Sequence, residues 1–371
     1  MNTLDEISFV VLSQESSEVE QMMYQIYNTK GDDRNIIAIG LLPIFSSVAN
    51  GWISILNMKN FESEMDIPFD KLISAIRVSY KLYSDKKVNK LIKQIQNNNA
   101  NFTDILTSDY NNLQKNFIDL FGQEDFGVFY LKNIAYCNTN QSLTYLNNIL
   151  DIENNNNIIS LENKASILLR DYSECLYKFI FSINKEYDIQ TNKFLDCHIL
   201  EQEHSYFDFF IFDNKRKNIL GGKLPTSTQL FLFNIYCQNN LFNYAIPSIF
   251  NSHSKLYYRS KIQSYLVSIN GLNKVQNKYK DLLKFEYLEE INYLNHEKEL
   301  YFTFENRLRN NIFHYQIENT PIDAFSDKNR FFEEMIEYHT GMKFDKFIEK
   351  IDNYLIQINS LICSIIEYDT K

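Results

Sequence analysis

The chain has 371 residues, 44% of them hydrophobic and 15% aromatic, enough apolar material for more than one packed core. Its 9 Gly and 5 Pro are too few for a turn-rich β-sandwich or barrel, so composition favours helices. A formal net charge of −10 excludes a protein that coats nucleic acid by bulk electrostatics, and any RNA contact has to be local.

In chain order, Ile7–Leu12 is a short β-branched run, and Ser16-Ser17-Glu18 precedes an amphipathic stretch over Val19–Tyr27, with the hydroxyls as an N-cap signal. Asn35–Met58 is apolar and broken by Gly40, Pro43 and Gly51, which predicts two short buried helices. Pro68 suits the first turn of a helix over Phe69–Ser84. Lys86, Lys87, Lys90 and Lys93 then line a basic, solvated face, and residues 97–101 form a loop. Residues 108–150 read as helical, interrupted near Gly122 and Gly127. The Asn154–Asn157 run is a loop, and a long helix over Leu161–Asn184 follows. Residues 1–185 therefore read as one α-helical unit with a sensor, regulatory or partner-binding role, since they carry no His and no catalytic motif.

The character changes over 186–224, a connector. His204–Phe212 is aromatic and β-prone, and a polar turn at 213–218 and Gly221-Gly222 follow it, as in a small hairpin. From 225 onward the chain is helical again, with helices over Pro225–Cys237, over Ser254–Ile269 ending before Gly271, from Asn273, over Lys298–Tyr315, and over Phe344–Tyr368. The fold class expected is all-α, with one small hairpin between two helical units, 1–185 and 225–371.

Several chemistries find no footing. Cys197, His198, Glu201, Glu203, His204 and Asp208 are dense in ligand types but match no zinc spacing, so no metal is expected. Gly221-Gly222-Lys223 lacks the frame of a phosphate-binding loop, and no cofactor motif occurs. His253, His296 and His339 are isolated. The five Cys show no CxxC spacing and read as free thiols of a reducing compartment. No stretch approaches about 18 uninterrupted apolar residues, and Met1–Glu6 lacks a basic start, so a cytoplasmic protein without a membrane span is expected.

One segment carries chemistry. On a helix through Leu300–Tyr315, the residues Leu300, Tyr301, Phe304, Leu308, Ile312 and Tyr315 share an arc of roughly 120° that faces the core. Arg309, Asn310, Phe313 and His314, with Phe302, take the opposite face and read as a partner surface. Arg309 and His314 stand about 140° apart, so they flank a shared cleft rather than touch. A phosphate suits the planar guanidinium, and an imidazole titrates near neutral pH, so the two residue types fit phosphodiester cleavage. Lys255, Tyr257, Tyr258, Arg259 and Lys261 form a basic and aromatic patch on another helix; Lys255, Tyr258, Arg259 and Lys261 are the candidates for contact with single-stranded RNA.

The run Arg309-Asn310-Asn311-Ile312-Phe313-His314 resembles the Arg-x4–6-His signature of the HEPN superfamily, in which a polar residue commonly follows the Arg. Its place late in the chain, before one more long helix, is similar too. The resemblance covers about ten residues closely and residues 225–371 loosely. It implies a metal-independent endoribonuclease needing no cofactor, with RNA as substrate and a homodimer formed through the Arg309/His314 helix. It carries over Arg309 and His314 as catalytic residues with Asn310 as helper. Arg307 also satisfies the spacing to His314, and Glu305 is a candidate for an added acidic group. The biological settings it implies are abortive infection by phage and toxin–antitoxin pairs, with an antitoxin or a phage-derived trigger as partner. The alternative from another class is a catalytically silent α-helical interaction protein of antitoxin or scaffold type.

Overall fold

The computed structural model describes residues 3–28, 33–58, 68–81, 92–93, 95, 111–122, 124–145, 161–191, 204–212, 216, 218–250, 254–303, 307–315 and 317–368. Helix α1 (Thr3–Asn28) takes in the β-branched run at Ile7–Leu12. Its buried positions Ile7, Val11, Leu12, Glu15, Val19, Met22 and Ile26 follow a helical period straight through that run. Continuous packing of that stripe outweighs the β preference of six residues. Helix α2 (Asp33–Ile55) is likewise one helix, not two, with Pro43 inside it. Gly40 serves close packing, since a Cβ there would lie 2.9 Å from Leu241 Cδ2. Over Asn35–Ile55, α2 is long and apolar enough to cross a membrane by length and composition (mean hydropathy 1.8), although 72% of that window is buried in the protein. Helix α3 (Phe69–Lys81) packs on α2.

The stretch expected as helical over 108–150 is mixed. Helix α4 (Asn112–Phe121) opens with a capping box in which Asn111 and Gln114 serve each other's amides. Its apolar face (Leu113, Phe117, Leu120, Phe121) is exposed. Strands β1 (Phe126–Leu131) and β2 (Ile134–Asn138) follow as a hairpin. Both turn residues, Lys132 and Asn133, have positive φ, the signature of a type I′ turn. Residues 139–145 return to helix. Helix α5 (Leu161–Glu186) comes next.

Strand β3 (His204–Phe209) lies in the connector, but its partner is β1, antiparallel from Phe126↔Phe209 to Leu131↔His204. The β-prone segment of 186–224 thus joins a three-stranded sheet of order β2-β1-β3 that reaches back across the chain. The molecule is mostly helical with this one small sheet among the described residues, as composition led one to expect.

Helix α6 (Thr226–Asn240) runs through a π turn (Leu241–Ala245) into α7 (Ile246–Ile249), just where Pro247 cannot donate to an α-type bond. Helix α8 (Lys255–Tyr279) passes through Gly271 rather than ending before it. A Cβ at Gly271 would sit 2.6 Å from Ile235 Cδ1, so the bare position is where α6 and α8 approach. Helix α9 (Phe285–Tyr301) stops where a continuous helix to Tyr315 was expected. The short α10 (Leu308–His314) then stands apart from it, and α11 (Phe331–Thr340) and α12 (Phe344–Ile366) close the fold.

The division into units 1–185 and 225–371 does not separate two cores. One continuous cluster of buried side chains includes Val11 and Trp52 with Leu176, Phe233, Ile262 and Leu355. Polar contacts cross it as well: Gln141 and Asn140 bond to Asn234, and Asn240 donates to the Ala135 carbonyl.

Candidate functional site

Helix α10 is bounded by two non-glycine residues in the left-handed region, Arg307 (φ 55°) before it and Tyr315 (φ 55°) after it. Two such residues cost on the order of 1 kcal/mol each and persist only where surrounding packing fixes them. Inside the helix, Leu308, Asn311, Ile312 and Phe313 are buried, whereas Arg309, Asn310 and His314 are partly exposed. The Arg309 guanidinium lies over the Phe313 ring, 5.4 Å from its centroid. Burial holds the Lys298 ammonium below the usual lysine range, and the positive charge of Arg309 adds to that shift.

The helical projection places some side chains correctly and others not. Leu308, Ile312 and Tyr315 are buried as expected. Phe302 (8% exposed) and Phe313 (7%), expected on an outer face, are buried, and Leu300, expected in the core, is 54% exposed. The break between α9 and α10 resets the phase, so one projection cannot serve both. Phe302 belongs to an aromatic cluster with Tyr265 and Phe347. Arg307 is half-buried at the entry to α10. Phe304 and Glu305 lie outside the described residues.

The seat of α10 is built from the other end of the chain. Arg259 on α8, 2% exposed, donates through Nε to both oxygens of Glu15 on α1 (2.7 and 2.9 Å), which is 0% exposed. Its Nη1 donates to the carbonyls of Asn311 and Ile312 at 3.0 Å each, and Gln263 Nε2 adds a bond to Ile312. The guanidinium carbon lies over the rings of Tyr315 (4.3 Å to the centroid) and Phe332 (4.7 Å). Tyr315 Oη donates to Glu15 at 2.6 Å.

This corrects the expected RNA-binding patch. Arg259 faces inward because Glu15 waits there, and Lys261 is buried against Asp352 with its ammonium over Tyr257. Lys255 reaches Gln14 and the Asn329 carbonyl, and Tyr258 is half-buried against Phe344. A legible signal existed: Glu15 falls in phase with Val11, Leu12 and Val19 on the buried stripe of α1, where an acid needs a buried cation.

Beside this seat lies an open cleft of about 650 Å³ lined by Gln14, Glu18, Tyr187, Gln190 and Lys255 among others. Glu18 accepts from the amides of Lys255 (3.0 Å) and Leu256 (2.7 Å) at the head of α8. Burial, assisted by the charge of Glu15, pushes its pKa up to about 7 against the pull of those two amides. On the other flank of α10, His339 Nε2 is 2.8 Å from Thr320 Oγ1 and 3.5 Å from Asn311 Nδ2, and burial holds its pKa below the usual value.

The chain matches no protein-family model, no curated protein and no solved structure. Among the described residues no three His, Cys, Asp or Glu are placed to hold a metal. Of the ligand-like cluster near 197–208, Cys197, His198, Glu201 and Glu203 lie outside the described residues, and so does His253; His204 meets Tyr136 across the sheet. Burial pushes the Cys137 thiol up to about 12 and Cys363 up to about 11, so neither supplies a thiolate nucleophile near neutral pH. On α10 itself the partly exposed side chains are Arg309, Asn310 and His314, a cation, an amide and an imidazole.

Proposed function

We propose that this protein is a metal-independent endoribonuclease of the HEPN type, acting in abortive infection by phage or as the toxin of a toxin–antitoxin pair. The observation that carries the reading is the sorting of residues on α10: those that pack are buried, and the three that match the motif are partly exposed. RNA brings its own nucleophile in the 2′-hydroxyl. His314 takes the proton from that hydroxyl as its oxygen attacks phosphorus. The bond from phosphorus to the 5′-oxygen breaks, and a second imidazole returns a proton to the leaving oxygen. Arg309 holds the pentacovalent phosphate, and Asn310 orients the pair. Products are a 2′,3′-cyclic phosphate and a 5′-hydroxyl.

One chain offers one Arg309 and one His314, about 140° apart around a seven-residue helix. A homodimer that pairs two α10 helices supplies both of each in one cleft, in the cytoplasm and with no cofactor. Arg307 and Glu305 are the secondary candidates, and Lys255 and Tyr258 the remaining candidates for RNA contact. An antitoxin or a phage-derived trigger would act through the N-terminal half. The same geometry favours a second reading, a silent helical interaction protein, where no such dimer forms.

Induction of wild type beside Arg309→Ala and His314→Ala tests the proposal through growth and RNA integrity. Arrest with RNA fragments ending in cyclic phosphate, lost in both variants, is the expected result. Fragments ending in 3′-hydroxyl would exclude the mechanism. Equal cutting by the variants would exclude the site, and a wild type that remains monomeric and cuts nothing favours the silent reading.

A further inference from the structure

We propose that Arg259 and Glu15 are positioning residues for the helix that carries Arg309 and His314, so that the N-terminal helix α1 sets the geometry of the candidate site. What α10 does rests on the nuclease reading above; how α10 is held does not.

A helix of seven residues has little stability of its own, and its last carbonyls have no partner within it. Those of Asn311 and Ile312 are taken by one guanidinium nitrogen, Nη1 of Arg259. A cation at this end also opposes the negative pole of the helix. The remaining face of the same group is committed to α1 through both Glu15 oxygens. Arginine is the side chain able to do this: its donors lie in one plane and point two ways, while its cation rests over the rings of Tyr315 and Phe332.

The hold continues past the helix. Tyr315, the left-handed residue that ends α10, donates its hydroxyl to Glu15, and the Ile317 amide donates to Ser8 Oγ at 3.2 Å. Ser8 and Glu15 are two turns apart on the same side of α1. Leu12, between them, closes with the Tyr315 ring over Gly51, where a Cβ would meet each at 2.9 Å. Thus α1 grips the exit of α10 at successive turns, and a shift of α1 must move or release it. Glu18, one turn further along α1, lines the cleft described above, so the same helix faces both solvent and the site.

The test uses the full chain with Arg259→Lys and Glu15→Gln, read by amide hydrogen exchange, melting temperature and RNA cleavage. Lysine keeps the charge and loses the two-way fork. In folded Arg259→Lys, exchange over residues 308–317 should rise about tenfold or more, while α12 keeps its protection. Cleavage should fall mainly in kcat, with KM changed less, because the reacting groups are misplaced rather than removed. Unchanged protection over 308–317, or a loss spread evenly along the chain, would overturn the proposal. If both variants fail to fold, Tyr315→Phe, which deletes only the hydroxyl on Glu15, is read the same way. A wild type that cuts no RNA sinks the nuclease reading alone, since exchange needs no substrate; intact cleavage with protection lost sinks the positioning role alone.

Discussion

Glu18 carries an unusual burden for a surface-facing acid: its two oxygens cap the first amides of α8 while burial and Glu15 oppose its charge. Its folded pKa of about 7 lies above the value of 4.5 it relaxes to when unfolded, so folding favours the protonated form. The stability this group contributes is therefore fully present below about pH 4.5 and is lost as pH rises through 7. Glu333 is shifted the same way by burial, and His339 the opposite way. The comparison that isolates Glu18 is a difference: the melting temperature of wild type at pH 5.5 minus that at pH 8, against the same difference for Glu18→Gln. The variant should show the smaller fall with rising pH, and an equal fall in both would mean that Glu18 does not titrate in this range. At this scale the sequence makes Arg309, Asn310 and His314 visible through their order alone. It places Glu15 in phase with the buried stripe of α1 but does not name the cation that meets it, because Arg259 is 244 residues away and nothing local distinguishes a buried arginine from an exposed one.

Among the elements, the long amphipathic helices are legible: α3, α5 and α12 lie where periodicity puts them. Errors gather where local signals compete with packing. The glycine at 271 reads as a stop, yet α8 continues because α6 fills the space a side chain would need. Gly271→Leu should therefore cost about 2 kcal/mol by overpacking, despite the better helix propensity of leucine, as measured by denaturant unfolding. A neutral or stabilising result would show that α6 can move aside. The β1–β2 hairpin escapes a reading of the sequence because Lys132-Asn133 is not the usual pair for its turn, though both residues adopt positive φ. The double substitution Lys132→Asn with Asn133→Gly should stabilise the chain by about 1 kcal/mol, since the turn then holds residues suited to that backbone. No gain in the denaturant midpoint would place the strain elsewhere. The break between α9 and α10 has no punctuation at all, and the two left-handed residues around α10 are held by tertiary contacts that propensity does not record.

Across the whole molecule, the 186–224 connector marks a change in composition, while the cores on either side of it are one. The consequence can be tested with the isolated 225–371 segment. Cut there, Arg259 keeps its place over the rings of Tyr315 and Phe332 but loses Glu15, leaving a buried cation with only carbonyl partners. Breaking a buried pair from one side typically costs about 3–5 kcal/mol, a large share of what holds a domain of this size together. Asn234 and Asn240 lose Asn140 and the Ala135 carbonyl in the same cut, and the α2 surface that packs against Leu241 is gone. Residues 225–371 alone should therefore fail to melt cooperatively by circular dichroism and should associate through exposed apolar surface. The intact chain should unfold in one step, and it carries its own reporter for this. Its single tryptophan, Trp52, is fully buried in the N-terminal half, bonds to Ser16 Oγ and stacks on Tyr187, so its fluorescence follows that half alone. Coincidence of that signal with loss of helix over the whole chain means one cooperative unit. Two separated transitions, with a stable 225–371 fragment, would mean that the two segments keep independent cores and that α1 is a detachable partner of the site rather than its scaffold.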